Sequence, residues 1–255
     1  MILCSMRVRD LSHVKIESVD IASAGGTLRA LYYHAGNASQ TCVVLCHGYS
    51  SSKHNVDPLA FYLAVEGTAA LALDFQGHKL GASSTPLRSA SDLRLNALDA
   101  VAYARSRAAK VVLAGHSMGA ATAIGATLES DAVSGLIVMA TALGRNRTLN
   151  AGGVLGGLRN RAAYVDGPTP DEITAQMDAF TARIAAVAPR PLLVIAGSKD
   201  AIVGPSAVRG LFDAASEPKT FEIIDATHTD CVERSKFVVM RWLRERGFSE
   251  SRSNA

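Results

Sequence analysis

Two kinds of hydrophobic patterning divide the chain. Near the N-terminus it alternates: "HVKIESVDI" and "LRALYYHA", separated by "ASAGGT", place apolar and polar side chains on opposite faces and predict an antiparallel hairpin. From residue 42 onward the apolar runs are short and continuous: "CVVLC", "TAALALD", "KVVLAG", "GLIVMA", "PLLVIAG" and "TFEIID". Strands covered on both faces read this way, as in a parallel sheet. Helical stretches lie between most of them: "DPLAFYLAVEG", "ASDLRLNALDAVAYARSRA", "AATAIGATLES", "PSAVRGLFDAAS" and "CVERSKFVVMRWLRERG". In the second, Leu93, Ala97, Leu98, Val101 and Ala104 share one face, and Ser89 with Asp92 resembles a capping box. The alternation predicts an α/β fold with right-handed crossovers.

The rhythm breaks once. Between "GLIVMATAL" and "PRPLLVIAG" lie residues 144–188, holding the Gly-rich "NAGGVLGGLRN", the turn "DGPTP" and a helix "PDEITAQMDAFTARIAAVA". A plain crossover needs far fewer residues, so this segment is expected to be an insertion over the sheet. The chain reads as one domain over 1–255, with a disordered tail from about residue 249.

Composition narrows the function classes. With 255 residues, 48% of them hydrophobic, the chain can bury one large core. The net charge is +3, and the basic residues are scattered without interleaved aromatics, which argues against nucleic acid. No apolar run reaches the roughly 18 residues of a membrane span. The opening "MILCSMRVRD" is charged too early for a signal peptide, so a cytoplasmic location is expected and no membrane partner. None of the four cysteines forms a CxxC pair. Cys42 and Cys46 lie on one strand face, too far apart to bridge, so buried free thiols and no metal or cofactor are expected.

The chemistry concentrates at "VVLAGHSMGAATAIGA". Ser117 falls where a strand runs into a helix, with Gly115 and Gly119 clearing the space around it. Such a corner aims a hydroxyl out of the sheet's carboxyl edge, above the free N–H groups of a helix N-terminus. A serine nucleophile needs a base. Of seven histidines, His228 in "FEIIDATHTD" follows the last strand and opens on the same edge. Asp200 in "PLLVIAGSKDAIV" is placed to orient it, with Asp225 and Asp230 as rivals nearer in sequence. The order Ser117, Asp200, His228 is the one expected of a triad on this kind of sheet. The backbone N–H groups of Met118 and of Tyr49, in "LCHGYSSSKHN", are the candidate oxyanion donors, and His47 is expected to brace that loop.

Taken together, "HGY", "DFQGH", "GHSMG", "GSKDAIV" and "DATHTD" resemble the α/β-hydrolase family over about residues 15–247, with "GHSMG" and the short "HG" loop looking like its esterase, lipase and feruloyl-esterase branches. The resemblance implies a mostly parallel central sheet with an N-terminal antiparallel hairpin, helices on both faces and a small cap at 144–188. It carries the triad onto Ser117, Asp200 and His228, and the oxyanion donors onto Tyr49 and Met118. One segment departs: "DFQGHKLGAS" has Lys79 where the family often shows a second glycine, and Ser83 comes late, so this loop is expected to bear on substrate preference.

The parts then describe a serine hydrolase that cleaves short to medium acyl or aryl esters through an acyl-enzyme on Ser117. Thioester or peptide hydrolysis uses the same parts, and a non-catalytic binding module is the bland alternative. A histidine base predicts a rate that falls below about pH 6 to 7. His116, Met118, Tyr49, Met177 and Phe180 are the candidate pocket residues, helix core being the competing reading for Met177 and Phe180. The partner expected is a small-molecule ester.

Overall fold

The structure is a computed structural model that describes residues 11–23, 26–36, 39–83, 85–144 and 160–250. The strands are β1 (Lys15–Ser23), β2 (Gly26–His34), β3 (Thr41–Cys46), β4 (Ala69–Leu73), β5 (Lys110–His116), β6 (Val133–Met139), β7 (Leu192–Gly197) and β8 (Lys219–Ile224). They form one eight-stranded sheet in the order β1-β2-β4-β3-β5-β6-β7-β8. The hairpin joins β4 antiparallel through β2, and every later pairing is parallel.

Every residue of β3, β4 and β7 is buried, which is why their sequences show no alternation. Alternate side chains feed two cores. Cys42, Val44, Leu113, Val138 and Val194 point to the face covered by α2 (Ala90–Arg105), α3 (Met118–Thr127), α4 (Pro170–Thr181) and α5 (Pro205–Ala214). Val43, Leu45, Val112, Ile137 and Ile195 point to the face covered by α1 (Asp57–Val65), α6 (Cys231–Arg234) and α7 (Lys236–Glu245). Three free, buried thiols, Cys42, Cys46 and Cys231, lie in these cores, the first two as their spacing predicted; Cys4 lies outside the described residues.

Three local readings need correction. Asp92 accepts from the Arg88 N–H at 2.8 Å, and Ser89 makes no side-chain cap, so the capping box expected at α2 is absent. A complete capping box stands instead at Thr169 and Glu172, opening α4. The C-terminal helix is interrupted at Ser235, whose hydroxyl donates to the Val232 carbonyl at 2.7 Å. The helix predicted over 170–188 ends at Thr181 and continues as a 3-10 turn, Ile184–Val187, that turns Ile184 and Val187 into the core. The Gly-rich part of the predicted cap, 145–159, lies outside the described residues.

The strand order reverses between β3 and β5: one crossover from β3 goes outward to β4, and the next returns to its other side. A crevice outside the carboxyl ends of those two strands is where open α/β sheets place their ligands.

Candidate active site

Ser117 occupies that crevice. It caps α3 with φ 56° and ψ −114°, a conformation L-residues rarely adopt. Its N–H donates to the Met139 carbonyl at 2.9 Å, so the corner is pinned to β6. The flanking glycines are required by close approach. A Cβ on Gly115 would stand 2.2 Å from the Gly119 carbonyl oxygen, and one on Gly119 would stand 2.3 Å from the Cys46 oxygen. α3 is buried along its whole length and is built of small residues, which lets it lie close to the sheet.

His228 and Asp200 meet at the same edge, with His228 Nδ1 2.8 Å from Asp200 Oδ2. The Asp200 carboxylate is inaccessible to solvent, and its Oδ1 accepts from the Ile202 and Val203 N–H groups at 2.8 Å each. Burial pushes its carboxyl pKa up; the hydrogen bond and charge of His228 and the two N–H donors outweigh that and leave it below the ordinary value. With Nδ1–H given to Asp200, the other ring nitrogen is left to act as acceptor. The two loops are sewn together, since the Ser198 N–H donates to the Ile224 carbonyl and the Lys199 N–H to that of Ala226. The rival acids are committed elsewhere. Asp225 pairs with Lys199, and Asp230 accepts from Thr227 and Arg234.

The loop after β3 closes the other side. A Cβ on Gly48 would lie 3.5 Å from the Ser117 Cβ and 3.3 Å from His116 Nδ1, which brings the Gly48–Tyr49 backbone up to the corner. His47 braces this loop as expected: it is fully buried, its Nδ1 lies 2.8 Å from the Gly48 carbonyl, and its Nε2 accepts from the Phe75 N–H at 3.1 Å. Burial, with His78 alongside, pushes its pKa down to about 3. A hub that the sequence analysis did not anticipate lies beneath. Buried Asp74 accepts from the Lys53 N–H, the Lys53 ammonium and the Ala82 N–H, tying the loop after β3 to the loop after β4. Burial pushes the Asp74 carboxyl up, and these donors more than reverse it.

A cavity of about 480 Å³ opens over Ser117. Tyr49, His116, Ser117, Met118, Met177 and His228 all line it, joining six of the residues predicted from sequence. The His116 and His228 rings stand with centroids 4.7 Å apart. Phe180 is not among the lining residues; its ring packs where a Cβ on Gly125 would be, so it belongs to the α3–α4 interface. Residues that sequence reasoning missed include Ser51, Asn55, Arg161, Ile173 and Ile202. None of the loop 74–83 lines the cavity, contrary to the role in substrate preference expected of it. That loop acts one step removed: the Lys79 N–H donates to the Tyr164 carbonyl, and His78 bridges to Val165. Among the described residues no group of three or more His, Cys, Asp or Glu is placed to hold a metal ion, and no helix is long and apolar enough to cross a membrane.

An eight-stranded, mostly parallel sheet with a strained serine corner and an Asp–His pair at its carboxyl edge defines a hydrolase of the α/β class. The family model described as serine aminopeptidase, S33, matches residues 37–165, and the chain belongs to that α/β-hydrolase family. Among solved structures, the esterase Est1E from Butyrivibrio proteoclasticus with ferulic acid bound is 19% identical, with a TM-score of 0.74 over 89% of this chain and 98% of that one. The Pyrococcus furiosus esterase Pf2001 is 21% identical, with a TM-score of 0.66 over 92% and 90%. The esterase domain of a Rhodothermus marinus protein is 20% identical, with a TM-score of 0.68 over 91% and 98%. At these identities the likeness establishes the fold. No curated protein matches the sequence.

Proposed function

We propose that the protein is a serine carboxylesterase acting on small esters with short to medium acyl or aryl groups. Ser117 attacks the ester carbonyl, His228 takes its proton, and the Met118 and Tyr49 N–H groups receive the oxyanion. The resulting acyl-enzyme is released by water, for which His228 again serves as base. The observation that carries this reading is the Asp200–His228 hydrogen bond at 2.8 Å, opening on the cavity that exposes Ser117. A volume near 480 Å³ suits a compact substrate.

The family model's description raises aminopeptidase action as a second reading. Holding a substrate's free ammonium calls for a carboxylate beside the scissile bond. No carboxylate lines the cavity among the described residues, so ester hydrolysis is the better fit. A fluorophosphonate probe followed by peptide mapping tests the nucleophile, and p-nitrophenyl esters alongside aminoacyl p-nitroanilides test the reaction. Labelling at Ser117 with ester turnover is expected. Absence of label, or turnover confined to the anilides, would overturn the reading.

A further inference from the structure

The cavity wall divides by chemistry. Met118, Pro170, Ile173, Met177 and Ile202 supply an apolar part, and Tyr49, Ser51 and Asn55 a polar one. Arg161 enters the wall as its one permanently charged side chain among the described residues. Several other arginines give their guanidinium to a carboxylate: Arg94 to Glu129, Arg190 to Asp131, Arg241 to Glu222 and Arg244 to Glu66. Arg161 has no such partner among the described residues. Two acids near the cavity are committed elsewhere. Glu172 accepts from the Thr169 N–H and hydroxyl, and Asp200 holds His228.

The backbone beside Arg161 is anchored. Its carbonyl accepts from the Tyr164 N–H at 3.0 Å, and the next residues are sewn to the loop after β4: the Lys79 N–H donates to the Tyr164 carbonyl and the Asp166 N–H to that of Gly77. Arg161 is itself exposed and stands at the cavity's solvent side, on backbone held in place by these bonds. A planar five-donor fork beside an apolar wall matches a carboxylate, which it holds with two parallel hydrogen bonds. We propose that Arg161 selects substrates whose ester carries a carboxylate away from the scissile bond. This rests on the esterase reading above and names its substrate class.

Four esters separate the two places such a carboxylate can sit. Mono-p-nitrophenyl glutarate is compared with p-nitrophenyl pentanoate for an anionic acyl group, and 4-carboxyphenyl butyrate with phenyl butyrate for an anionic alcohol. Arg161→Ala is expected to lower kcat/KM for at least one anionic ester about ten-fold or more, through KM, while the neutral esters change less than about two-fold. Arg161→Lys should recover part of the loss, and Arg161→Glu should deepen it. Equal effects on anionic and neutral esters, or an Arg161→Glu variant no worse than Arg161→Ala, overturn the proposal while leaving the esterase reading standing. If the wild-type protein turns over none of the four, the esterase reading fails. Calorimetric titration of monomethyl glutarate into Ser117→Ala and Ser117→Ala/Arg161→Ala then decides the anion site alone: about ten-fold weaker binding without Arg161 supports it, and equal affinities refute it.

Discussion

Ser117, the proposed nucleophile, sits at the expense of local comfort. Its φ of 56° places the Cβ where L-residues are crowded, a conformation costing on the order of 1–3 kcal/mol. Alanine removes the hydroxyl and keeps the crowding; glycine removes both. Either substitution is expected to cut ester turnover by roughly 10⁴-fold or more. Ser117→Gly should nevertheless be more stable than Ser117→Ala by about 1 kcal/mol once glycine's extra freedom in the unfolded chain is subtracted, and so melt at a higher temperature. Indistinguishable calorimetric melting points would show that the corner stores no strain. The choice among Asp200, Asp225 and Asp230 also belongs to single residues. Sequence order favoured Asp200, and geometry agrees because the other two turn back onto Lys199, Thr227 and Arg234.

At the scale of elements, α4 connects the insertion to the cavity. Its first turn is fixed by the reciprocal bonds of Thr169 and Glu172, and one face carries Ile173 and Met177 into the cavity wall. Thr169→Ala is expected to destabilise the helix start by about 1 kcal/mol. The residues proposed for catalysis sit on other elements, so the effect on ester hydrolysis should be a raised KM with kcat nearly unchanged. A fall in kcat at constant KM, measured by initial rates, would contradict this division. This element also shows what the sequence conceals. The parallel strands were legible because burial on both faces erases alternation, and the serine corner was legible because glycines and strand–helix order are local. The cap signals were ambiguous: Ser89 and Asp92 have the right spacing, yet Asp92 prefers the Arg88 N–H, while Thr169 fell in a run that read as a turn and its partner Glu172 in the helix that follows. The break at Ser235 follows from a hydroxyl-to-carbonyl bond that no periodicity announces. Arg161 and the Asp74 hub escaped because their significance depends on chain segments brought together only by folding.

The whole molecule is set to lose stability in mild acid, ahead of its carboxylates. His47 and His78 are completely buried side by side, ring centroids 4.9 Å apart, beneath the loop that carries Gly48 and Tyr49. Burial pushes His47 down to about 3 and His78 down to about 4, whereas an unfolded histidine titrates near 6.5. Between those limits the unfolded chain binds protons that the native state excludes, so stability rises with pH across this window and falls as the solution is acidified. Each ring contributes a slope of up to about 1.4 kcal/mol per pH unit. Asp74 and Asp200 act lower. Their depressed pKa values stabilise the fold above the ordinary carboxylate range, and that contribution disappears only as pH falls through their folded values. Urea midpoints measured from pH 8 to pH 4.5 should therefore be level at first and drop steeply below about pH 6.5. His78 offers the cleaner substitution, because its Nε2 has no hydrogen-bond partner among the described residues while His47 holds the loop through both nitrogens. His78→Phe is expected to roughly halve the slope, with exposed groups titrating alike in both proteins and cancelling. A midpoint that stays constant from pH 7 to pH 5, or a His78→Phe slope as steep as the parent's, would show that these rings take up protons without unfolding the site they support.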